Sequence, residues 1–200
     1  QKGGNFSLSN INLEIFPGEV VGFLGESGSG KSTLASIITK LSMPNDGSYK
    51  YKGQNVFSFK KREIAKFKSD VQMVFQDPYG SLNPRYNIRN AISEALLIHK
   101  PALSKSLREE KIVQLLSDVG LDSSAMEKFP HEFSGGQRQR IAIARAMSVD
   151  PEMLVCDEPL SSLDVSTQAQ ILTLFSNLLI RKKIAMIFIT HDIKVAQILC

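Results

Sequence analysis

Apolar residues recur along this chain in two rhythms. Val20-Val-Gly-Phe-Leu24, Met153-Leu-Val-Cys156 and Ala185-Met-Ile-Phe-Ile189 are short unbroken runs, the length and composition of strands covered on both faces. Ile11, Leu13 and Ile15 alternate with Asn12 and Glu14, which predicts a half-buried strand closed by the Pro17-Gly18 turn. Gly47-Ser-Tyr-Lys-Tyr51 and Val71-Gln-Met-Val-Phe75 predict two further strands, on either side of a charged segment around 60–68. Helical spacing fills the intervals, at Thr33–Leu41, about 134–148, about 167–182, and in a last stretch still running at Cys200. From about Ile88 to Val119 the helical signal takes over. Ala91, Ile92, Ala95 and Leu96 share one face there, and Ile112, Leu115, Leu116 and Val119 share another.

Strands alternating with helices predict an α/β fold with a largely parallel sheet. An antiparallel β part is expected near the N-terminus, and a helical subdomain is expected as an insertion over roughly 86–148. No internal repeat, low-complexity tract or linker divides the chain, so residues 1–200 read as a single domain.

At 200 residues with 42% hydrophobic content, the chain can bury one sizeable core. Its net charge of +4 is spread along the sequence. The densest basic patch, Lys60-Lys61-Arg62 with Lys66 and Lys68, is interrupted by Glu63 and Asp70, and a solvated helix face accounts for it better than a nucleic-acid surface does. Cys156 lies inside an apolar run and Cys200 ends the chain, so both read as reduced thiols of a cytosolic protein. No run approaches the ~18–20 apolar residues that span a bilayer, and no signal-peptide pattern opens the sequence. Work at a membrane would therefore be done from the cytosol, through partners.

Candidate chemistry concentrates at strand ends. Gly25-Glu26-Ser27-Gly28-Ser29-Gly30-Lys31-Ser32-Thr33 fits G-x-x-x-x-G-K-[ST] and lies between a predicted strand and a predicted helix. Its glycines allow successive N–H groups to face one concavity at the positive end of the following helix, which suits a polyphosphate. Lys31 is placed to reach the outer phosphates and Ser32 to ligate Mg²⁺. Asp157 and Glu158 follow a buried strand at the edge where open α/β sheets bind ligands. Asp157 is placed to hold Mg²⁺ through its water shell, and Glu158 to accept a proton from the water attacking a γ-phosphate.

Ser134-Gly135-Gly136-Gln137 fits a capping box, yet two glycines weaken a first turn. They make sense if a second anion approaches the bare N–H groups there. A histidine directly after the last buried strand, His191, also faces the ligand edge, whereas His99 and His131 read as structural.

The phosphate loop, Gln76 after an apolar strand, Ser134-Gly-Gly-Gln-Arg138, Asp157-Glu158, Ser161-Ser-Leu-Asp164 and Thr190-His191-Asp192 occur in an order and spacing that resemble ATP-binding cassette (ABC) ATPases over nearly the whole chain. The resemblance implies a P-loop NTPase core, ATP and Mg²⁺. It also implies a dimer in which Ser134, Gly135, Gly136 and Gln137 of one subunit cover the γ-phosphate held by the other. Gln76 would touch Mg²⁺ or the attacking water and sense a membrane partner, His191 would contact the γ-phosphate, and Asp164 would communicate across the dimer.

Gln76-Asp-Pro-Tyr-Gly-Ser-Leu-Asn-Pro84-Arg85, Pro130 to Arg140 and Leu163 to Ile171 look more narrowly like the oligopeptide, dipeptide and nickel importer branch, closer to the second of its paired ATPase subunits. That implies a second ATPase subunit, in a homo- or heterodimer, transmembrane permease subunits, and indirectly an extracytoplasmic substrate-binding protein. It implies a peripheral place on the cytoplasmic side of the inner membrane and no nucleic acid.

Phe133 stands where many members of the family carry leucine, and Phe6 and Phe16 sit poorly for an adenine-stacking ring. That ring is expected before Gln1 and further strands after Cys200, so the chain reads as trimmed at both ends. Two rivals stand beside the importer. One is a soluble ABC ATPase acting on DNA or ribosomes, whose usual long insertions or paired cassettes are not visible here. The other is a small-molecule kinase, which leaves Ser134 to Gln137 unexplained.

Overall fold

Four apolar runs lie side by side as one parallel sheet in the structure, a computed structural model that describes residues 7–200. The strands are β1 (Val20–Leu24), β4 (Val71–Val74), β5 (Met153–Asp157) and β6 (Ala185–Thr190), in the order β1-β6-β5-β4. Register pairs Val20 with Met186, Met153 with Ala185, and Val71 with Met153, so all four strands deliver their C-terminal ends to one edge. Parallel pairing requires crossovers, and helices supply them. These are α1 (Lys31–Ile38), α2 (Lys61–Asp70), α3 (Pro78–Ser81), α4 (Ile88–His99), α5 (Lys105–Asp118), α6 (Gly135–Met147), α7 (Val165–Lys182) and α8 (Ile193–Leu199).

Unbroken apolar runs were the signal for strands covered on both sides, and the core bears this out. Leu154 and Cys156 on β5, with Met186 and Phe188 on β6, join the larger cluster with α4 to α8. Met153, Val155, Ala185, Ile187 and Ile189 face the other way, against Ala35, Ile38 and Phe67. Phe188 and Phe175 are fully buried and meet edge-on at 5.8 Å. Burying such a side chain contributes ~1.5–3 kcal/mol. The helical block is present as α4 and α5, with Ile92, Leu96, Ile112 and Leu116 inaccessible to solvent.

The antiparallel part is a hairpin of β2 (Lys50–Tyr51) and β3 (Gln54–Asn55). Lys52 and Gly53, both at positive φ (49° and 78°), form its two-residue turn. The predicted strand at Ile11, Leu13 and Ile15 does not form: these positions carry no strand assignment, and Ile11 and Leu13 are exposed. Alternation supplies a face, but a strand also needs an edge to donate to, and β2 and β3 satisfy one another instead. The turn after it does form, with the Glu19 N–H donating to the Phe16 carbonyl and Gly18 at φ 79°. Phe16 is exposed at that turn, and Phe6 lies outside the described residues.

Candidate nucleotide site

Between β1 and α1 the loop 25–30 wraps a concavity that opens on the C-terminal edge of the sheet. Gly28 and Gly30 sit at φ 81° and 93°, the left-handed region that glycine enters at little cost. Gly30 is the N-cap of α1, and no side chain caps the helix there. Its first N–H groups are left for a ligand. Lys31 Nζ folds back across the loop and donates to the carbonyls of Gly25 and Glu26, both at 2.7 Å. A cleft beside it is lined by Ser27, Gly28, Gly30, Lys31, Ser32 and Thr33, and across from them by Gln76 and Glu158.

Asp157 closes β5 in a buried position, and the Ser32 hydroxyl donates to its Oδ1 at 3.1 Å. Burial pushes the Asp157 carboxyl above its ordinary range and the neighbouring Glu158 charge adds to this, while the Ser32 bond and Lys31 oppose it. A divalent cation between Ser32 and Asp157 would relieve that penalty. No group of three or more His, Cys, Asp or Glu side chains suited to a metal exists among the described residues. A hydroxyl and a carboxylate at the rim of a phosphate cleft fit Mg²⁺, which takes one or two protein oxygens and completes its shell with phosphates and water.

Glu158 is the first residue beyond β5, and its backbone lies at φ 42°. A non-glycine residue there is strained by about 1–3 kcal/mol, and functional sites are where such strain is kept. Its N–H donates to the Ile189 carbonyl, fixing the turn against β6. Three residues distant in sequence then meet at one carboxylate oxygen. Gln76 Nε2 donates to Glu158 Oε2 at 3.3 Å, and His191 Nδ1 lies 3.4 Å from the same atom. The His191 turn is held by Asp192, whose N–H donates to Thr190 Oγ1. Ser161, not among the expected site residues, ties this cluster together: its hydroxyl lies 3.4 Å from Gln76 Nε2 and donates to the Glu158 carbonyl at 3.1 Å. A serine three residues past the carboxylates was the only sequence trace of that role.

Ser134 and Gln137 make the expected capping box. Gln137 N–H donates to Ser134 Oγ at 3.3 Å, and Ser134 N–H donates to Gln137 Oε1 at 3.0 Å. The two glycines divide their reasons. A Cβ on Gly136 would fall 2.3 Å from Thr167 Cγ2, so this glycine is bare because α6 packs on α7 there, not because a ligand must approach it. A Cβ on Gly135 would meet Leu163 Cδ2 at an ordinary 3.6 Å. None of Ser134 to Gln137 lines the cleft of the phosphate loop in the same chain. Asp164 caps α7 and accepts from Ser166 Oγ, Thr167 N–H and Thr167 Oγ1, which together hold its carboxyl well below the usual range.

Comparison with known proteins follows the same line. The chain is 45% identical over 192 residues to the oligopeptide transport ATP-binding protein OppF of Bacillus subtilis, covering 96% of this chain and 63% of that protein. It is 47% identical to the di/tripeptide transport ATP-binding protein DppF of Pseudomonas aeruginosa, covering 96% and 59% respectively. The chain thus spans about three-fifths of the length of these relatives. Among solved structures, a dimeric ATP-binding cassette in a post-hydrolysis state with ADP and Pi superposes with a TM-score of 0.84 at 32% identity, over 96% of this chain and 82% of that one. A family model described as ABC transporter matches residues 8–161. With its phosphate loop, its carboxylate pair and its capped glycine helix in this arrangement, the chain belongs to the ABC transporter family.

Proposed function

We propose that this chain is the ATP-hydrolysing nucleotide-binding subunit that energises an importer of oligopeptides or dipeptides. The observation that carries the reading is the meeting of Gln76, His191 and Ser161 around Glu158 at the mouth of the phosphate-loop cleft. Peptide transport is the printed role of the relatives, and hydrolysis accords with a similar cassette that holds ADP and Pi.

In this reading the N–H groups of Glu26 to Thr33 and the uncapped start of α1 hold the triphosphate, and Lys31 exchanges its two carbonyl partners for phosphate oxygens. Ser32 and Asp157, with Gln76 nearby, would hold Mg²⁺, which supplies charge neutralisation to the phosphates when bound. Glu158 accepts the proton of the attacking water, Gln76 orients that water, and His191 reaches toward the γ-phosphate. Ser134 to Gln137 stand outside their own cleft and so serve the nucleotide of a second ATPase subunit, as the dimeric state of a similar cassette accords with. In this reading Asp164 communicates across that dimer, and Val165 beside it is 82% exposed. Permease subunits carry the transport path in this reading, and this subunit sits peripherally on their cytoplasmic face; no helix among the described residues is long and apolar enough to cross a membrane. The 76–85 loop and the helical block at roughly 86–148 are the surface offered to them.

The test is reconstitution of the full-length protein with its permease and substrate-binding partners in vesicles. ATP hydrolysis stimulated by external peptide is the expected result. Stimulation by nickel in place of peptide, or hydrolysis stimulated by DNA or ribosomes instead, would overturn the assignment.

A further inference from the structure

Which end of the Gln76 amide faces the cleft decides what that residue can do there. A carboxamide carries an acceptor, Oε1, and a two-proton donor, Nε2, on diverging arms of one plane. Gln76 lines the cleft together with Lys31 and Ser32. A divalent cation in that cleft takes oxygen ligands, so only the Oε1 end serves it, and an amide turned over would present N–H groups to a positive charge.

Two neighbours settle the orientation. Nε2 lies 3.3 Å from Glu158 Oε2 and 3.4 Å from Ser161 Oγ. An ionised carboxylate only accepts, whereas a hydroxyl can do either. The Ser161 proton is already committed, because Oγ donates to the Glu158 carbonyl at 3.1 Å, so Oγ meets Gln76 with its lone pairs. Both neighbours therefore require a donor, and a reversed amide would set Oε1 against two acceptor oxygens. Glu158 Oε2 is shared, since His191 Nδ1 stands 3.4 Å from the same atom. Ser161 Oγ accepts from Gln76 alone among the described residues, and Ser161 does not line the phosphate-loop cleft. Its turn is anchored independently of Gln76. The Ser161 N–H also donates to the Glu158 carbonyl, at 3.3 Å, Leu160 is buried, and Gln168 Nε2 of α7 donates to the Leu160 carbonyl at 3.1 Å.

We propose that Ser161 is a positioning residue that sets the orientation of the Gln76 amide, holding Nε2 on its own side and leaving Oε1 to the cleft as an oxygen ligand for the cation. The inference rests on the reading that Gln76 joins Ser32 and Asp157 in holding Mg²⁺. Ser161 acts through Gln76 and touches neither nucleotide nor metal.

The experiment compares wild type, Ser161→Ala, Ser161→Thr, Gln76→Ala and the Ser161→Ala/Gln76→Ala double variant in the full-length protein assembled with its partners. Mn²⁺ affinity is read by electron paramagnetic resonance with a non-hydrolysable ATP analogue bound, nucleotide affinity by titration in EDTA, and kcat by steady-state hydrolysis with Mg²⁺. Ser161→Ala is expected to bind nucleotide like wild type in EDTA, to bind Mn²⁺ about two- to ten-fold more weakly, and to lose a similar factor in kcat, the size of one hydrogen bond. Ser161→Thr keeps the hydroxyl at an exposed position with room for a methyl group, and it restores both. In the Gln76→Ala background the Ser161 change adds nothing, because the amide it orients is gone. Wild-type Mn²⁺ affinity in Ser161→Ala, no rescue by Ser161→Thr, or a double variant worse than Gln76→Ala would overturn the role of Ser161 and leave the cation reading standing. Wild-type Mn²⁺ affinity in Gln76→Ala would overturn the cation reading of Gln76 and the inference with it.

Discussion

Glu158 holds the least comfortable backbone at the site and the most partners. Its φ of 42° has to be maintained by its surroundings, and the bond from its N–H to Ile189 together with the Ser161 hydroxyl on its carbonyl supplies that support. Glu158→Gln preserves shape but replaces the carboxylate proposed as the proton acceptor. Turnover is expected to fall by roughly 10²- to 10⁴-fold with nucleotide binding retained, as measured by steady-state hydrolysis beside fluorescent-nucleotide titration. Near-normal turnover would remove Glu158 from its role.

The two glycines of α6 give a second comparison at this scale. Gly136→Ala must displace Thr167, so it is expected to lower the melting temperature as well as activity. Gly135→Ala has room within its own chain, so its fold should hold while hydrolysis of the partner's nucleotide falls. A mixed dimer with one intact subunit checks this, because the loss should appear at the ATP held by the other phosphate loop. The residue types of the site were legible in the sequence, since glycine, lysine and carboxylate chemistry is local. The contact of Ser161 with Gln76 was not legible, because it joins residues 85 positions apart.

At the scale of elements, pattern and structure agree wherever one element decides the matter. β5 and β6 are buried at every position, as unbroken apolar runs require, and α6 begins at the capping box written in its sequence. β1 is only partly buried although its run is equally apolar, because it lies at the sheet edge with β6 as its one neighbour among the described strands. The segment 11–15 fails for a related reason: its alternation finds no strand to pair with. Edge position and pairing belong to the sheet, and no single segment encodes them.

For the whole molecule, Asp150 is the point where separate parts are tied. It sits at φ 54° in the turn between α6 and β5, and accepts from Lys100 after α4, from Lys111 of α5 at 2.5 Å, and from Lys182 of α7 at 3.4 Å. Burial would raise its carboxyl, but the bonds from Lys100 and Lys111 outweigh that and hold it at about 2. An unfolded aspartate titrates near ~3.9, so between these values the unfolded chain binds more protons and stability rises with pH. The contribution is present in full above about pH 4 and is lost as the pH falls toward 2. Urea midpoints measured from pH 2 to 6 should therefore show a smaller acid-side fall for Asp150→Asn than for wild type. An identical pH dependence would show that the three lysines do not report on this carboxylate.

By itself the sequence determined the strand and helix types, the phosphate loop, the carboxylate pair and the capped glycine helix, because each depends on residues within one or two turns of one another. It determined as well, through the order of those motifs, which family the chain joins. Only the tertiary structure decided that Gln76, Ser161 and His191 meet at Glu158, that Gly136 is bare for Thr167, and that 11–15 stays unpaired. Those outcomes follow from strand order and register, which bring together atoms that are far apart along the chain and are fixed by the packing of the whole core on both faces of the sheet.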